Sequence, residues 1–178
     1  GTSERPATLR LPAAERRRQL LAVALEAFAE RGFHGTSMHE VAEAAGVTKP
    51  VLYQHFASKR ALYRELVDDL GGALEQAIVA AVAEADGPRQ QVEAGFRAYV
   101  RWATGQGAAF RVLFAERNRA DRELAAAVAK VESMVADRVA SLIVVEGLGD
   151  DERQVLAYGV VGLAESTSRQ WLRRGLGA

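Results

Sequence analysis

Thr36–Lys59, TSMHEVAEAAGVTKPVLYQHFASK, reads as a helix, a tight turn and a second helix, and the rest of the chain is ordered around it. Ser37 followed three residues later by Glu40 is a capping box: the hydroxyl accepts from the Glu40 amide while the carboxylate reaches back to the Ser37 amide. The spacing predicts a helix from Met38, with Val41, Ala42 and Ala45 as its apolar stripe. Gly46 stands where a left-handed residue would close that helix, because glycine has no Cβ to clash. Thr48 suits the N-cap of the second helix, and Pro50 falls in its first turn, where a missing amide hydrogen costs nothing. Leu52 and Phe56 then face inward, which leaves Lys49, Pro50, Val51, Tyr53, Gln54 and His55 on or near the outer surface of a very short helix.

Two helices joined by a short glycine-containing turn, the second presenting hydrogen-bonding groups outward, form the helix-turn-helix that reads the DNA major groove. An ordinary helical hairpin with a solvated face gives the same pattern, and the pattern alone leaves both readings open. The residues themselves go further. Thr36, Val41, Ala42, Ala45, Gly46, Val47, Thr48, Leu52, Tyr53, His55, Phe56, Ser58, Lys59 and Leu62 closely resemble the DNA-binding signature of the TetR-type transcriptional repressor family, including its Leu-Tyr-x-His-Phe-x-Ser-Lys block. The resemblance covers the first third of the chain and departs at Pro50, where members often carry glycine or another small residue. That change is read as altering base contacts and not the fold.

The resemblance implies an all-α fold: a three-helix helix-turn-helix head over 13–57, preceded by an arm over 1–12, and an antiparallel helical bundle over 58–178 that binds ligand and dimerises. It implies that Lys49, Pro50 and Val51 probe base edges, while Thr36, Thr48, Tyr53, His55 and Lys59, with Ser37 beside them, grip the phosphate backbone. The implied activity is a sequence-specific DNA-binding regulator, a repressor released from a palindromic operator in double-stranded DNA when a small-molecule effector binds the body. An architectural or protein-interaction module that uses DNA without an effector is the alternative.

Composition narrows the choice. The chain has 178 residues, 49% of them hydrophobic, which is enough for a packed core and too apolar for general disorder. It has no cysteine, so disulfides and thiol chemistry are excluded. Net charge is zero, against a protein that coats nucleic acid by bulk electrostatics. Its distribution is uneven: Gly1–Arg64 holds ten Lys/Arg against six Asp/Glu, a net +4, and Glu65–Ala178 carries −4. The positive half is the one with the helix-turn-helix. His34, His39 and His55 lack the spacing of a metal triad, so no metal or cofactor is expected. No Ser/His/Asp arrangement or glycine-rich phosphate loop stands at motif spacing, and the expectation is a protein that is not an enzyme. The longest apolar run, Val155–Ala164, is too short to span a bilayer, and a cytoplasmic location with no membrane partner is expected. Gly1 in place of methionine reads as a processed or tagged start, and Gly175–Ala178 as an abrupt end.

In chain order, Thr2–Pro12 reads as a solvated tail; the alternative, implied by the resemblance to those members whose arm reaches the minor groove, makes Arg5 and Arg10 contacts there. Ala13–Glu30 is a helix with Leu21, Ala24, Leu25 and Phe28 at helical spacing, after which Phe33 should plug the small core of Val41, Leu52 and Phe56. Ser58 caps a long helix from Lys59 through Val82, interrupted by Gly71-Gly72, where a bend or a close helix contact is expected. Lys59 lies at its positive end, well placed for a phosphate. Asp86-Gly87-Pro88 breaks the chain, and helices follow over Arg89–Thr104, Ala108–Arg117 and Asp121–Val145. Asp150 is expected to cap a last helix through Arg174.

Within the body, Phe96, Tyr99, Trp102, Phe110, Phe114, Met134 and Glu165 are the candidate ligand residues, with Arg97 or Arg101 as partner for the Glu165 carboxylate. Aromatic stripes at helical spacing also serve as plain core, and the Glu165 pair would equally serve as a structural ion pair. Gly159, Gly162, Ser166 and Arg169 are the candidate homodimer contacts, since small residues let a second helix approach; packing inside one chain is the competing use of those glycines.

Overall fold

The capping box at Ser37 opens the second of eight α-helices seen among the described residues of the computed structural model, which covers residues 12–114 and 120–176. These are α1 (Ala13–Arg31), α2 (Met38–Ala44), α3 (Lys49–His55), α4 (Lys59–Ala83), α5 (Gly87–Gly105), α6 (Gly107–Phe114), α7 (Arg122–Leu142) and α8 (Asp150–Arg173). No strand occurs among the described residues, and the all-α expectation holds. Arg5 and Arg10 of the arm, and the expected extension of α6 to Arg117, lie outside the described residues.

Local chemistry sets the boundaries of the head. The Ser37 hydroxyl accepts from the Glu40 amide at 3.2 Å and the Glu40 carboxylate accepts from the Ser37 amide at 2.7 Å, so two orphan donors of α2 are satisfied. At the other end Gly46 adopts φ +66°. The Val47 amide donates to the Ala42 carbonyl at 2.9 Å and the Gly46 amide to Glu43 at 3.0 Å, the paired bonds of a Schellman turn. The turn sends the chain directly into α3, whose buried Leu52 joins the apolar core.

α4 begins where Ser58 accepts from the Ala61 amide at 3.1 Å, and its apolar face runs through Leu62, Leu66, Leu70, Leu74 and Ile78 into the body. Of the two expectations for Gly71-Gly72, close packing is what occurs: a Cβ on Gly71 would stand 2.6 Å from Val131 Cγ2 of α7, whereas one on Gly72 would meet nothing within 4 Å. Phe33 is buried, but its ring meets Phe28 at 5.9 Å and Tyr63 of α4 at 5.4 Å, so it extends the head core toward the body. One apolar cluster runs from Leu20 and Val41 in the head to Val161 and Ala164 in α8.

Two ends differ from the sequence reading. α7 stops at Leu142, where Ile143 turns extended, leaving Val144 and Val145 in the exposed connection ahead of Gly147, which takes φ +80°. At the start of α8, Gly149 is the N-cap and Asp150 the first helical residue; the Glu152 carboxylate accepts from the Gly149 amide, and Asp150 instead sits 3.5 Å from Arg153. The acidic first turn still complements the helix dipole.

Candidate nucleic-acid interface

Three braces tie the head together: the first fixes α3 to α1 and α4, and the other two fix the α1–α2 turn that carries α2 and, through it, α3. Arg17 of α1 donates to the His55 carbonyl at 3.0 Å, lies 4.5 Å over the Phe56 ring and pairs with Glu65 of α4. Thr36, buried, donates to the Ala27 and Gly32 carbonyls at 3.1 and 2.9 Å. Lys59 Nζ donates to the Phe33 and Thr36 carbonyls, both at 2.8 Å, and sits 4.3 Å above the Phe33 ring. Burial, with Arg60 next door, lowers the Lys59 pKa from its ordinary value. Rigid support of this kind is what a helix needs to present side chains at fixed positions.

What it presents is polar. Thr48, Lys49, Pro50, Tyr53 and Gln54 are exposed, Tyr53 by 48%, while Val51 and His55 are partly covered. Thr48 holds the N-cap position expected of it, yet its side chain makes no capping bond and is left for another acceptor or donor. Beside α3, a concave surface brings Ser37 and His39 of α2 together with Lys49, Tyr53 and Lys59. Its Lys49, Lys59 and Tyr53 groups are of the kind that fix a protein on a phosphate backbone, and the one carboxylate in the hollow among the described residues, Glu40, is taken up by Ser37.

The sequence-derived residues therefore divide. Ser37, Thr48, Lys49, Pro50 and Tyr53 form one exposed surface, with Val51, His55 and Lys59 at its margins. Thr36 turns inward, and its hydroxyl joins α1 to the turn. Lys59 is partly exposed and already bonds two carbonyls, so its charge reaches the surface from an anchored position. His39, weighed in the sequence only as a metal ligand, lines the same hollow as Ser37.

The candidate ligand residues of the body scatter over several places. Phe96 and Tyr99 border a void of only about 20 Å³ between α5, α7 and α8. Phe110 and Phe114 line a pocket of about 330 Å³ between α1, α4, α6 and α8. Met134 lies in a surface hollow with Glu75 and Lys130, and Trp102 is half-buried against the core. Glu165 pairs with Arg169, one helical turn on, which also donates to the Phe114 carbonyl at 2.9 Å, and no ion pair joins Glu165 to Arg97 or Arg101 among the described residues. Arg97 faces Glu93 of its own helix instead. The i,i+4 spacing makes the Glu165–Arg169 pair local and almost automatic. The buried Tyr99 hydroxyl has no hydrogen-bond partner among the described residues, and burial, with Glu165 nearby, raises its pKa well above the ordinary phenol value.

Arg169 is thus turned inward, away from the other candidate dimer residues. Gly159, Gly162 and Ser166 are exposed on α8 beside Val155, Tyr158 and Leu163, and a side chain built on either glycine would touch nothing within 4 Å. Packing inside the chain does not account for those glycines.

The family model described as "Bacterial regulatory proteins, tetR family" matches residues 20–66, the segment from α1 to the start of α4. The HTH-type transcriptional activator FasR of Mycolicibacterium smegmatis is 35% identical over 168 residues, spanning 92% of this chain and 75% of that protein. The chain belongs to the tetR family. A solved TetR-like transcriptional regulator from Rhodococcus sp. RHA1 superposes with a TM-score of 0.75 at 26% identity, covering 89% of this chain and 85% of that one. AibR, solved in complex with isovaleryl coenzyme A and operator DNA, shares the fold at TM-score 0.70 and 21% identity, with 86% of each chain covered. As a TetR-family member the protein is a DNA-binding transcription regulator, and α2–α3 is its helix-turn-helix. Among the described residues no helix is long and apolar enough to cross a membrane.

Proposed function

We propose that the protein works as a homodimer in the cytoplasm, that α3 of each copy reads one half of a palindromic operator, and that a small molecule held by the helical body changes the affinity for that operator. The observation that carries this reading is the contrast between two exposed surfaces on one chain: α3 shows polar groups outward, whereas α8 shows Val155, Tyr158 and Leu163 around Gly159 and Gly162. An apolar helix face with small residues at its centre fits a copy of itself under twofold symmetry. Two recognition helices related in this way fall one turn of duplex apart, about 34–36 Å. The working division is an arm over 1–12, a head over 13–57 and a body over 58–178, with α4 carrying changes of tilt between the last two. Lys49, Pro50 and Val51 address base edges; Ser37, Thr48, Tyr53, His55 and Lys59 address phosphates. The activity is binding, without turnover.

The direction of control follows from operator position. FasR is named an activator. A dimer that leaves its operator when loaded relieves repression where the operator overlaps the promoter and withdraws activation where it lies upstream. That AibR was solved with a coenzyme A thioester and operator DNA together supports a body able to hold a small molecule while the head engages a duplex.

Selection of purified protein on a randomised duplex pool at two salt concentrations tests the proposal. The expected result is an enriched palindrome with half-sites one helical turn apart. Retention without enrichment, lost steeply as salt rises, would replace the reading with an effector-independent architectural DNA binder.

A further inference from the structure

The 330 Å³ pocket lies where the head meets the body, and its two kinds of wall do not resemble each other. Phe28, Phe110, Phe114 and Leu172 give it an apolar aromatic floor, contributed by α1, α6 and α8. Arg111, Arg169 and Arg173 stand at its rim. Arg169 is partly neutralised by Glu165, and its guanidinium is aimed by the bond to the Phe114 carbonyl. Arg111 is exposed and forms no ion pair or hydrogen bond among the described residues. An arginine held beside an apolar concavity without a carboxylate of its own supplies a planar fork for a carboxylate or phosphate. Among the described residues that line the pocket, none is acidic.

We infer that this junction pocket binds an anionic amphiphile, a molecule whose apolar chain or ring lies on the Phe28, Phe110, Phe114 and Leu172 floor and whose carboxylate or phosphate is held by Arg111 at the rim. The inference rests on the reading of the protein as a ligand-responsive regulator and deepens it by naming a site and a ligand class. The void between α5, α7 and α8, at about 20 Å³, has room for about one water molecule and no more. The junction pocket falls at the small end of the range that holds organic ligands, so it suits a medium-length chain or a single ring. A larger polar head, such as the nucleotide of coenzyme A, would remain outside along the arginine rim.

Position gives the site its consequence. Ala29 and Gly32 belong to the last turn of α1 and its cap, on the helix that braces α3 through Arg17, whereas Leu172 closes the pocket from α8. A bound molecule touches both at once, so its affinity depends on how the head sits on the body, and by linkage the head's affinity for DNA depends on the ligand.

The test is calorimetric titration of the full chain with decanoate, with decanoyl coenzyme A and with inorganic phosphate, on wild type, Arg111→Glu and Arg101→Ala. Arg111 is exposed, so the charge reversal leaves folding intact, and Arg101 is a solvent-facing arginine of α5 remote from the pocket lining. The expected result is saturable binding of decanoate or its thioester, one molecule per chain, weakened at least tenfold in Arg111→Glu and unchanged in Arg101→Ala, with phosphate alone too weak to saturate. Binding of decanoate assigns the site to free carboxylates; binding of the thioester alone assigns it to the phosphates of a carrier. Absence of binding by either amphiphile, or binding indifferent to Arg111→Glu, overturns the inference. The same titration repeated on selected operator separates the two claims: Arg111-dependent binding that leaves DNA affinity unaltered upholds the pocket and overturns the effector reading. DNA affinity that responds to other compounds while the pocket stays silent does the reverse.

Discussion

Thr36 and Tyr53 belong to the same signature block, and their side chains meet opposite surroundings. Thr36 is buried and donates to two carbonyls, so Thr36→Val removes a donor from both and should cost about 1–3 kcal/mol of stability, read by urea unfolding. Tyr53 is exposed, so Tyr53→Phe should change stability by less than about 0.5 kcal/mol. It should nevertheless weaken binding to every duplex alike, whereas Lys49→Ala should redistribute the preferred sequences; identical selection profiles for wild type and Lys49→Ala would remove Lys49 from base readout. Acid sensitivity belongs to this scale too. The bonds from Ser37 hold the Glu40 carboxyl below its ordinary value, and the Arg60 bond does the same for Asp121. A carboxylate whose pKa is depressed by folding contributes stability that is present above its unfolded value and lost as pH falls through the folded one. Glu40→Gln should therefore flatten the acid limb of the unfolding curve below about pH 4.5, followed by circular dichroism.

At the scale of elements, the Gly71-Gly72 pair separates two roles that look the same in sequence. Gly71 lets α4 approach Val131 of α7, and Gly71→Ala would force a Cβ to 2.6 Å from a methyl group there. Overpacking of that kind costs about 1–3 kcal/mol. Gly72 has open space, and Gly72→Ala should gain about 0.5–1 kcal/mol through helix propensity alone. Opposite shifts in thermal midpoint are the expected outcome, and Val131→Ala should rescue much of the loss in Gly71→Ala. The α2–α3 unit was legible in nearly every detail because its signals are short-range: a capping box, a Schellman glycine and a proline in the first turn each act within a few residues. The start of α8 was less so, since Gly149 and Asp150 both suit an N-cap and the Glu152 bond to the Gly149 amide selects between them.

For the whole molecule, the exposed apolar face of α8 is left without a partner among the described residues of one chain. Leu163 is 61% exposed, so Leu163→Arg should leave the fold intact while converting a dimer into monomers by sedimentation. Operator affinity should fall with it, because a single head holds only one half-site. A dimer that persists in Leu163→Arg would move the interface elsewhere. The charge asymmetry of the chain belongs to this scale as well: the excess of basic residues before Glu65 gathers on the half that carries α3, which steers the head toward DNA while total charge stays at zero.

The sequence by itself determined the helices, the helix-turn-helix and the family, since helix periodicity, caps and a signature block of fixed spacing are encoded by residues near one another in the chain. Tertiary structure decided which side chains of that block face inward, and so placed the Thr36 hydroxyl in the core and tethered Lys59 to the Phe33 and Thr36 carbonyls. It also decided the partner of Glu165 and gathered Phe28, Arg111 and Arg169 from three separate helices around one pocket. Such juxtapositions depend on how α1, α6 and α8 cross in space, and residues far apart in the chain carry no local pattern that records the crossing.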